Sequence, residues 1–165
     1  MHTVTIPAPT VNRIPRSKGG FKKKANGKRA DPVPRPVWLN ANQRLNHHQK
    51  ANWTKLWREA GMRAAIDNDL PVMRGQPHGK WFCIAVIHLP RKVDYDAGNM
   101  YPTIKPIIDG IVTDYGFITD DSNEHFVGPL SVAGATARDK LGGVVLRLFD
   151  MTVTADREAL LEWIR

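Results

Sequence analysis

The spacing of apolar positions changes several times along the chain, and each change marks an element. Residues 3–7, Thr-Val-Thr-Ile-Pro, alternate polar and apolar, which predicts a short strand ending at the proline. From about 46 to 66 the period becomes helical: Trp53, Leu56, Trp57, Ala60 and Ala64 form one stripe, with Lys50, Lys55, Arg58 and Arg63 mostly off it. Trp81 to Leu89 is short, apolar and bounded by Gly79 and Pro90, the pattern of a central strand. Residues 104–112 return to helical spacing through Ile104, Ile107, Ile108, Ile111 and Val112. Pro106 requires that this helix begin near Thr103, where first-turn N–H groups lack partners anyway. Asp114-Tyr-Gly116 reads as a turn. Leu130–Arg138 and Gly143–Phe149 read as two strands joined by the Asp139-Lys-Leu-Gly-Gly turn. Thr154 can cap a last short helix, with Asp156 in its first turn and Leu160, Leu161 and Ile164 on its apolar side. The order β, α, β, α, β, β, α is that of an α+β or mixed α/β domain in two layers.

Composition narrows the class. The 165 residues suit one core, and 42% apolar content with five Trp excludes a wholly disordered chain. The longest apolar run, Phe82–Ile87, is far short of the roughly 20 residues of a membrane helix. Met1-His-Thr-Val-Thr lacks the basic start and apolar stretch of a secretory signal, and the single Cys83 cannot form an internal disulfide. A cytoplasmic protein with no membrane association is expected.

The net charge of +8 is unevenly spread. Residues 1–36 hold nine cations against Asp31, which accounts for the whole excess. Residues 8–36, rich in Pro, Gly, Lys and Arg, read as a flexible basic loop or arm after the first strand, and residues 37–165 as the folded domain. In the arm, Lys22, Lys23, Lys24, Lys28 and Arg29 suit contacts to nucleic-acid phosphates. The neutral body contains an acidic stretch: residues 93–130 hold seven carboxylates against Lys105 alone.

That stretch carries the candidate chemistry. If the chain stays extended after the apolar strand, Asp94 and Asp96 project to one face about 7 Å apart, because side chains alternate with period two. Carboxylate oxygens in that arrangement suit Mg²⁺. Asp120-Asp121 can add a further carboxylate. Three Asp around Mg²⁺ with Lys105 nearby suit phosphodiester hydrolysis, in which the metal activates water and neutralises charge on the phosphate. Lys105 and Asp109 stand i, i+4 on the predicted helix and can pair. An EF-hand beginning at Asp94 fails: Asn99 takes the glycine position and Lys105 the bidentate glutamate position. His47, His48, His88 and Cys83 lack zinc-ligand spacing; Trp53 and Trp57 read as core, and Cys83 as a small buried hydrophobe.

Taken together, Arg91-x-x-Asp94-x-Asp96-x-x-Asn99, Lys105-x-x-x-Asp109-Gly110 and Gly116-Phe-Ile-x-Asp120-Asp121 resemble the RusA-type Holliday-junction resolvases, the phage-encoded members above all. The earlier Trp38-Leu-Asn-Ala-Asn42-Gln-Arg44-Leu segment is also similar to the family's N-terminal region, and the likeness covers about residues 37–149. It implies a Mg²⁺-dependent endonuclease, Mn²⁺ serving as substitute and no small-molecule cofactor being needed. Such an enzyme cuts four-way DNA junctions by paired nicks in recombination, repair or phage DNA processing. The implied fold is a small homodimeric α/β one, a mixed sheet packed with helices. Asp94 and Asp96 match the paired metal-binding aspartates, Asp121 the third catalytic aspartate with Asp120 beside it, and Lys105 the essential lysine. Arg44, Arg91 and Lys92 join the arm as expected DNA contacts. A phage enzyme of this kind would act in the cytoplasm of its bacterial host. The chain departs from the pattern in two places: Ala97-Gly98 precede Asn99, which lengthens the site loop, and Ile108 stands where some members carry an aromatic wedge. A two-fold junction cut symmetrically calls for a C₂ pair, and Ile104, Ile107, Ile108 and Ile111 are candidates for its interface. The competing reading is a non-catalytic nucleic-acid-binding protein that uses the basic arm alone.

Overall fold

The computed structural model describes residues 1–13, 16–17, 20–26 and 28–165. Of the basic arm, residues 14, 15, 18, 19 and 27 lie outside the described residues. The fold is a mixed α+β one, with three α-helices and a four-stranded sheet as its centre.

The first strand, β1 (His2–Pro7), has the expected alternation: Val4 and Ile6 are buried, Thr3 and Thr5 exposed. After it the chain leaves the sheet. β2 (Thr10–Arg13) pairs antiparallel with β5 (Val33–Pro36), and between them β3 (Arg16–Ser17) pairs with β4 (Gly20–Phe21). Beyond β4 an isolated bridge joins Lys23 to Arg29. The segment expected as an irregular arm therefore forms a two-stranded ribbon at its base. The Arg13 guanidinium lies 5.1 Å from the centre of the Trp53 ring, which ties that base to the body.

The first helix, α1 (His47–Asp67), starts where Asn46 accepts a hydrogen bond from the Gln49 N–H, and it buries Trp53, Trp57, Gly61, Ala64 and Ala65. β6 (Trp81–His88) follows as the expected central strand. Next come a 3₁₀ turn, Ala97–Met100, then α2 (Tyr101–Asp109), which runs on into a π-helical segment, Gly110–Tyr115. α2 begins two residues earlier than Pro106 was expected to allow, so the proline sits inside the helix. Its missing N–H costs one bond of the helical ladder. β7 (Phe126–Ala133), β8 (Gly143–Asp150) and α3 (Thr154–Ile164) complete the chain.

The sheet order is β1-β8-β6-β7. β7 and β8 thus do not form the hairpin expected from their short connection. β6 separates them, antiparallel to β8 and parallel to β7. β7 is an edge strand, where Pro129 removes no ladder hydrogen bond needed by a neighbour.

One sheet face packs α1 and α2 through Val4, Ile6, Cys83, Ala85, Ile87, Leu146 and Leu148. The helices approach very closely there. A Cβ on Gly61 would lie 2.4 Å from the Ile107 carbonyl oxygen, and one on Gly110 would lie 2.0 Å from that of Arg58. Ile104, Ile107, Ile108 and Ile111 are at most 2% exposed. They fill the chain's own core, which corrects the expectation that they face a second subunit. The other sheet face carries a smaller cluster of Ile84, Phe149 and Leu160 under α3. Leu161 and Ile164, expected on the buried side of α3, are exposed, and Thr154 makes no side-chain cap.

Candidate active site

Three chain segments meet along α2. The segment before α1 is fastened to its start: the Thr103 hydroxyl accepts from the Leu39 N–H at 2.8 Å and donates to the Leu39 carbonyl at 2.7 Å, all buried. The Ala41 N–H donates to the Asn99 carbonyl at 2.8 Å. The Trp38–Arg44 segment therefore lies against the loop that carries Asp96 and Asn99. Arg44 itself is exposed.

One turn into α2, Lys105 gathers two carboxylates. Its ammonium donates to Asp109 Oδ1 at 2.5 Å and, from the same Nζ, to Asp121 Oδ2. All three side chains are about one-third exposed. Burial alone would lower the Lys105 pKa; the hydrogen bonds and charges of Asp109 and Asp121 outweigh it and leave it raised. Lys105 thus stays an ammonium throughout the neutral range. The expected Lys105–Asp109 pair is present, and the fold adds Asp121, 16 residues from Lys105 in sequence, to the same point.

Asp121 is set by a short irregular stretch. Phe117 and Ile118 are buried, the Asp121 N–H donates to Asp120 Oδ1 at 2.8 Å, and Asp120 is exposed. His78 steadies this stretch: its Nε2 accepts from the Thr119 N–H at 3.1 Å and stands 3.1 Å from the Thr119 hydroxyl. The His125 ring packs against His78 at 4.9 Å.

Asp94 and Asp96 are placed differently from the expectation. β6 ends at His88, before Pro90, so both aspartates lie in an irregular loop and the period-two argument for a shared face does not apply. Both are exposed. Asp96 caps the 3₁₀ turn by accepting from the Gly98 N–H at 2.8 Å. Between them Tyr95 pins the loop, donating its hydroxyl to the Ile87 carbonyl at 2.7 Å. Asp94 opens onto a surface groove of about 480 Å³ shared with Arg91, Lys92, Tyr95, Gly134 and Thr136. Arg91 and Lys92 are both exposed, so two of the expected DNA contacts flank the first aspartate.

The register of β6 against β7 shows how the acidic groups are divided. Asp121 stands five residues before Phe126, which pairs with Trp81 at the start of β6. The Asp94 loop leaves from the other end of that strand. Among the described residues no three His, Cys, Asp or Glu stand together closely enough to share one metal ion. The donors have the hard oxygen chemistry that Mg²⁺ prefers. Their arrangement leaves Asp121 on Lys105, and Asp94 and Asp96 on a separate loop.

At the tip of the ribbon Lys22, Lys23, Lys24, Lys28 and Arg29 are exposed. Lys24 is paired with Asp31 at 2.7 Å, so its charge is partly spent within the ribbon. Thr103, Tyr95 and His78 escaped the sequence reading, since each acts through a contact with a residue remote in sequence or with backbone. Among the described residues no helix is long and apolar enough to cross a membrane. No family model matches the chain, and no curated protein matches it.

Proposed function

We propose that the chain is a Mg²⁺-dependent, structure-selective endodeoxyribonuclease of the RusA type that resolves four-way DNA junctions as a homodimer. The observation that carries this reading is the meeting of Lys105, Asp109 and Asp121 at a single ammonium. These residues come from two of the separate motif segments, and a third, Trp38–Arg44, lies against the same helix.

In this reading Asp94, Asp96 and Asp121, with Asp120 beside them, would hold Mg²⁺, and Mn²⁺ could replace it. The ion would supply an activated water and neutralise charge growing on the phosphate. The chain's own groups do the rest. Arg91 and Lys92 at the groove attract the phosphodiester toward Asp94. Lys105 offers N–H donors to a phosphate oxygen or to the leaving oxygen. The ribbon holds a duplex arm through its backbone phosphates, a contact independent of base sequence.

The test is a nicking assay on a synthetic four-way junction, run with Mg²⁺ and with EDTA. Paired nicks that need the metal are expected. Asp94→Asn is expected to abolish cutting yet bind the junction as well as the parent or better, because it removes negative charge beside DNA. Cutting by Asp94→Asn at the parental rate would overturn the metal assignment. The separation of Asp94 and Asp96 from Asp121 favours the second reading, a binding protein without catalysis. A junction bound tightly but uncut in both Mg²⁺ and Mn²⁺ would establish it.

A further inference from the structure

Lys105 is the only cation between residues 93 and 130, and it is already engaged with Asp109 and Asp121. Its two partners are held differently. Asp109 shares α2 with Lys105, one helical turn away, and that helix is fixed on both sides of the pair by backbone contacts at Gly61–Ile107 and Gly110–Arg58. Asp121 lies on an irregular stretch outside any helix or strand. If one of the two ion pairs opens, the geometry keeps Lys105 with Asp109 and frees Asp121.

We propose that Lys105 is an internal counter-ion that occupies Asp121 until a divalent cation displaces it, and that Asp109 is the positioning residue that then retains the ammonium. The inference rests on the nuclease reading and concerns regulation of that same site. The charges favour it. One ammonium between two carboxylates leaves one negative charge uncompensated, which attracts a cation to the site. A carboxylate oxygen in contact with an ammonium cannot take a divalent ion without setting two positive groups side by side. Moving Lys105 fully onto Asp109 removes that repulsion and leaves a neutral pair on α2. The same movement holds the ammonium close to the metal site, where a phosphate would arrive.

The experiment is Mn²⁺ titration calorimetry on the full chain, with Lys105→Met, Asp109→Asn and the double variant, each checked for folding by thermal melts. Partly exposed ion pairs contribute up to about 1 kcal/mol, so Lys105→Met is expected to bind Mn²⁺ up to about 5-fold more tightly. Asp109→Asn gives the ammonium to Asp121 alone and is expected to weaken binding by a similar factor. The double variant is expected to match Lys105→Met. Unchanged or weaker binding by Lys105→Met would overturn the proposal. So would a double variant as weak as Asp109→Asn, since Asp109 would then be a ligand itself.

A second readout follows acetylation of Lys105 by acetic anhydride with mass spectrometry. The wild-type lysine is expected to stay protected with and without Mg²⁺. In Asp109→Asn it is expected to become reactive when Mg²⁺ is added, and protection there would overturn the positioning role. A wild-type chain that binds no Mn²⁺ overturns both this inference and the metal assignment. A chain that cuts junctions with Mn²⁺ affinity indifferent to Lys105→Met overturns this inference alone.

Discussion

Gly61→Ala tests whether the crossing of α1 and α2 is set by glycine. In an exposed helix this change would stabilise by about 1 kcal/mol, because alanine is the better helix former. At Gly61 the new methyl would stand 2.4 Å from the Ile107 carbonyl oxygen and 2.9 Å from its Cα. Both obstacles are backbone, so no rotamer change relieves them. Ordinary van der Waals separation needs 3.4 Å or more, so the helices must part by about 1 Å along that line. Parting them loosens Trp57, Ile104, Ile107 and Ile111, each at most 1% exposed. Overpacking of a well-filled core costs typically about 1–3 kcal/mol, and weaker dispersion among these side chains adds to it. A net destabilisation of about 2 kcal/mol is expected, read as a lower urea midpoint at constant slope. Because α2 carries Lys105 and Asp109, junction cutting should fall by more than junction binding. A Gly61→Ala variant as stable as the parent, or more stable, would refute the close crossing and with it the rigid-helix basis of the Lys105–Asp109 pair.

Three further outcomes are expected. Thr103→Val leaves the buried Leu39 N–H and carbonyl unpaired and should cost about 2–4 kcal/mol by urea denaturation, while Thr103→Ser, which keeps the hydroxyl, should recover most of it. Asp156, 6% exposed, has its pKa lowered: burial would raise it, but hydrogen bonds from the N-terminal ammonium and the Asp150 N–H outweigh that. Its contribution is therefore present above the ordinary carboxylate range and lost as pH falls through the lower folded value. Thermal midpoints measured across the acid range up to neutrality should drop on the acid side, and Asp156→Asn should flatten that drop; parallel acid limbs would refute the assignment. Replacing Lys22, Lys23 and Lys28 by Gln should reduce the salt dependence of junction binding by about 0.9 in log–log slope for each phosphate no longer neutralised, and an unchanged slope would place the ribbon off the DNA.

Local periodicity carried the elements well. β1, α1, β6 and α3 fall within about two residues of the patterns of Val4/Ile6, Trp53/Trp57, Trp81–Ile87 and Leu160. Cys83 is fully buried, its thiol pKa pushed up by desolvation, as a small apolar residue in a central strand should be. What periodicity cannot carry is pairing. The Asp139–Gly143 turn looks like a hairpin turn, yet β8 lies beside β6, because a strand's partner is chosen by burial of its two faces rather than by the length of the connection. The same limit hid the ribbon. Lys, Pro and Gly in residues 8–36 predict no core, and the antiparallel pairing of β2 with β5 is backbone chemistry that composition does not register. At the site, the i, i+4 relation of Lys105 and Asp109 was legible because a helix fixes it. The Asp94–Asp96 geometry was not, because it depended on a strand that stops at His88, short of both aspartates.

The seven carboxylates of the acidic stretch are a poor description of one negative surface once their partners are known. Asp109 and Asp121 share Lys105, Asp114 is held bidentately by Arg58, and Asp96 caps a 3₁₀ turn. Asp94 makes no hydrogen bond or ion pair among the described residues. It is the carboxylate with the least to give up to a cation, and it stands beside Arg91 and Lys92, where a phosphate would be drawn. Asp121 has the most to give up. A divalent ion would therefore meet Asp94 without competition and reach Asp121 only by taking it from Lys105. That order predicts a graded response: Asp94→Asn should remove Mn²⁺ binding outright, whereas Asp121→Asn should leave a weaker first contact at Asp94. Equal loss in both variants would mean that the carboxylates act as one preformed set, contrary to the separation imposed by β6.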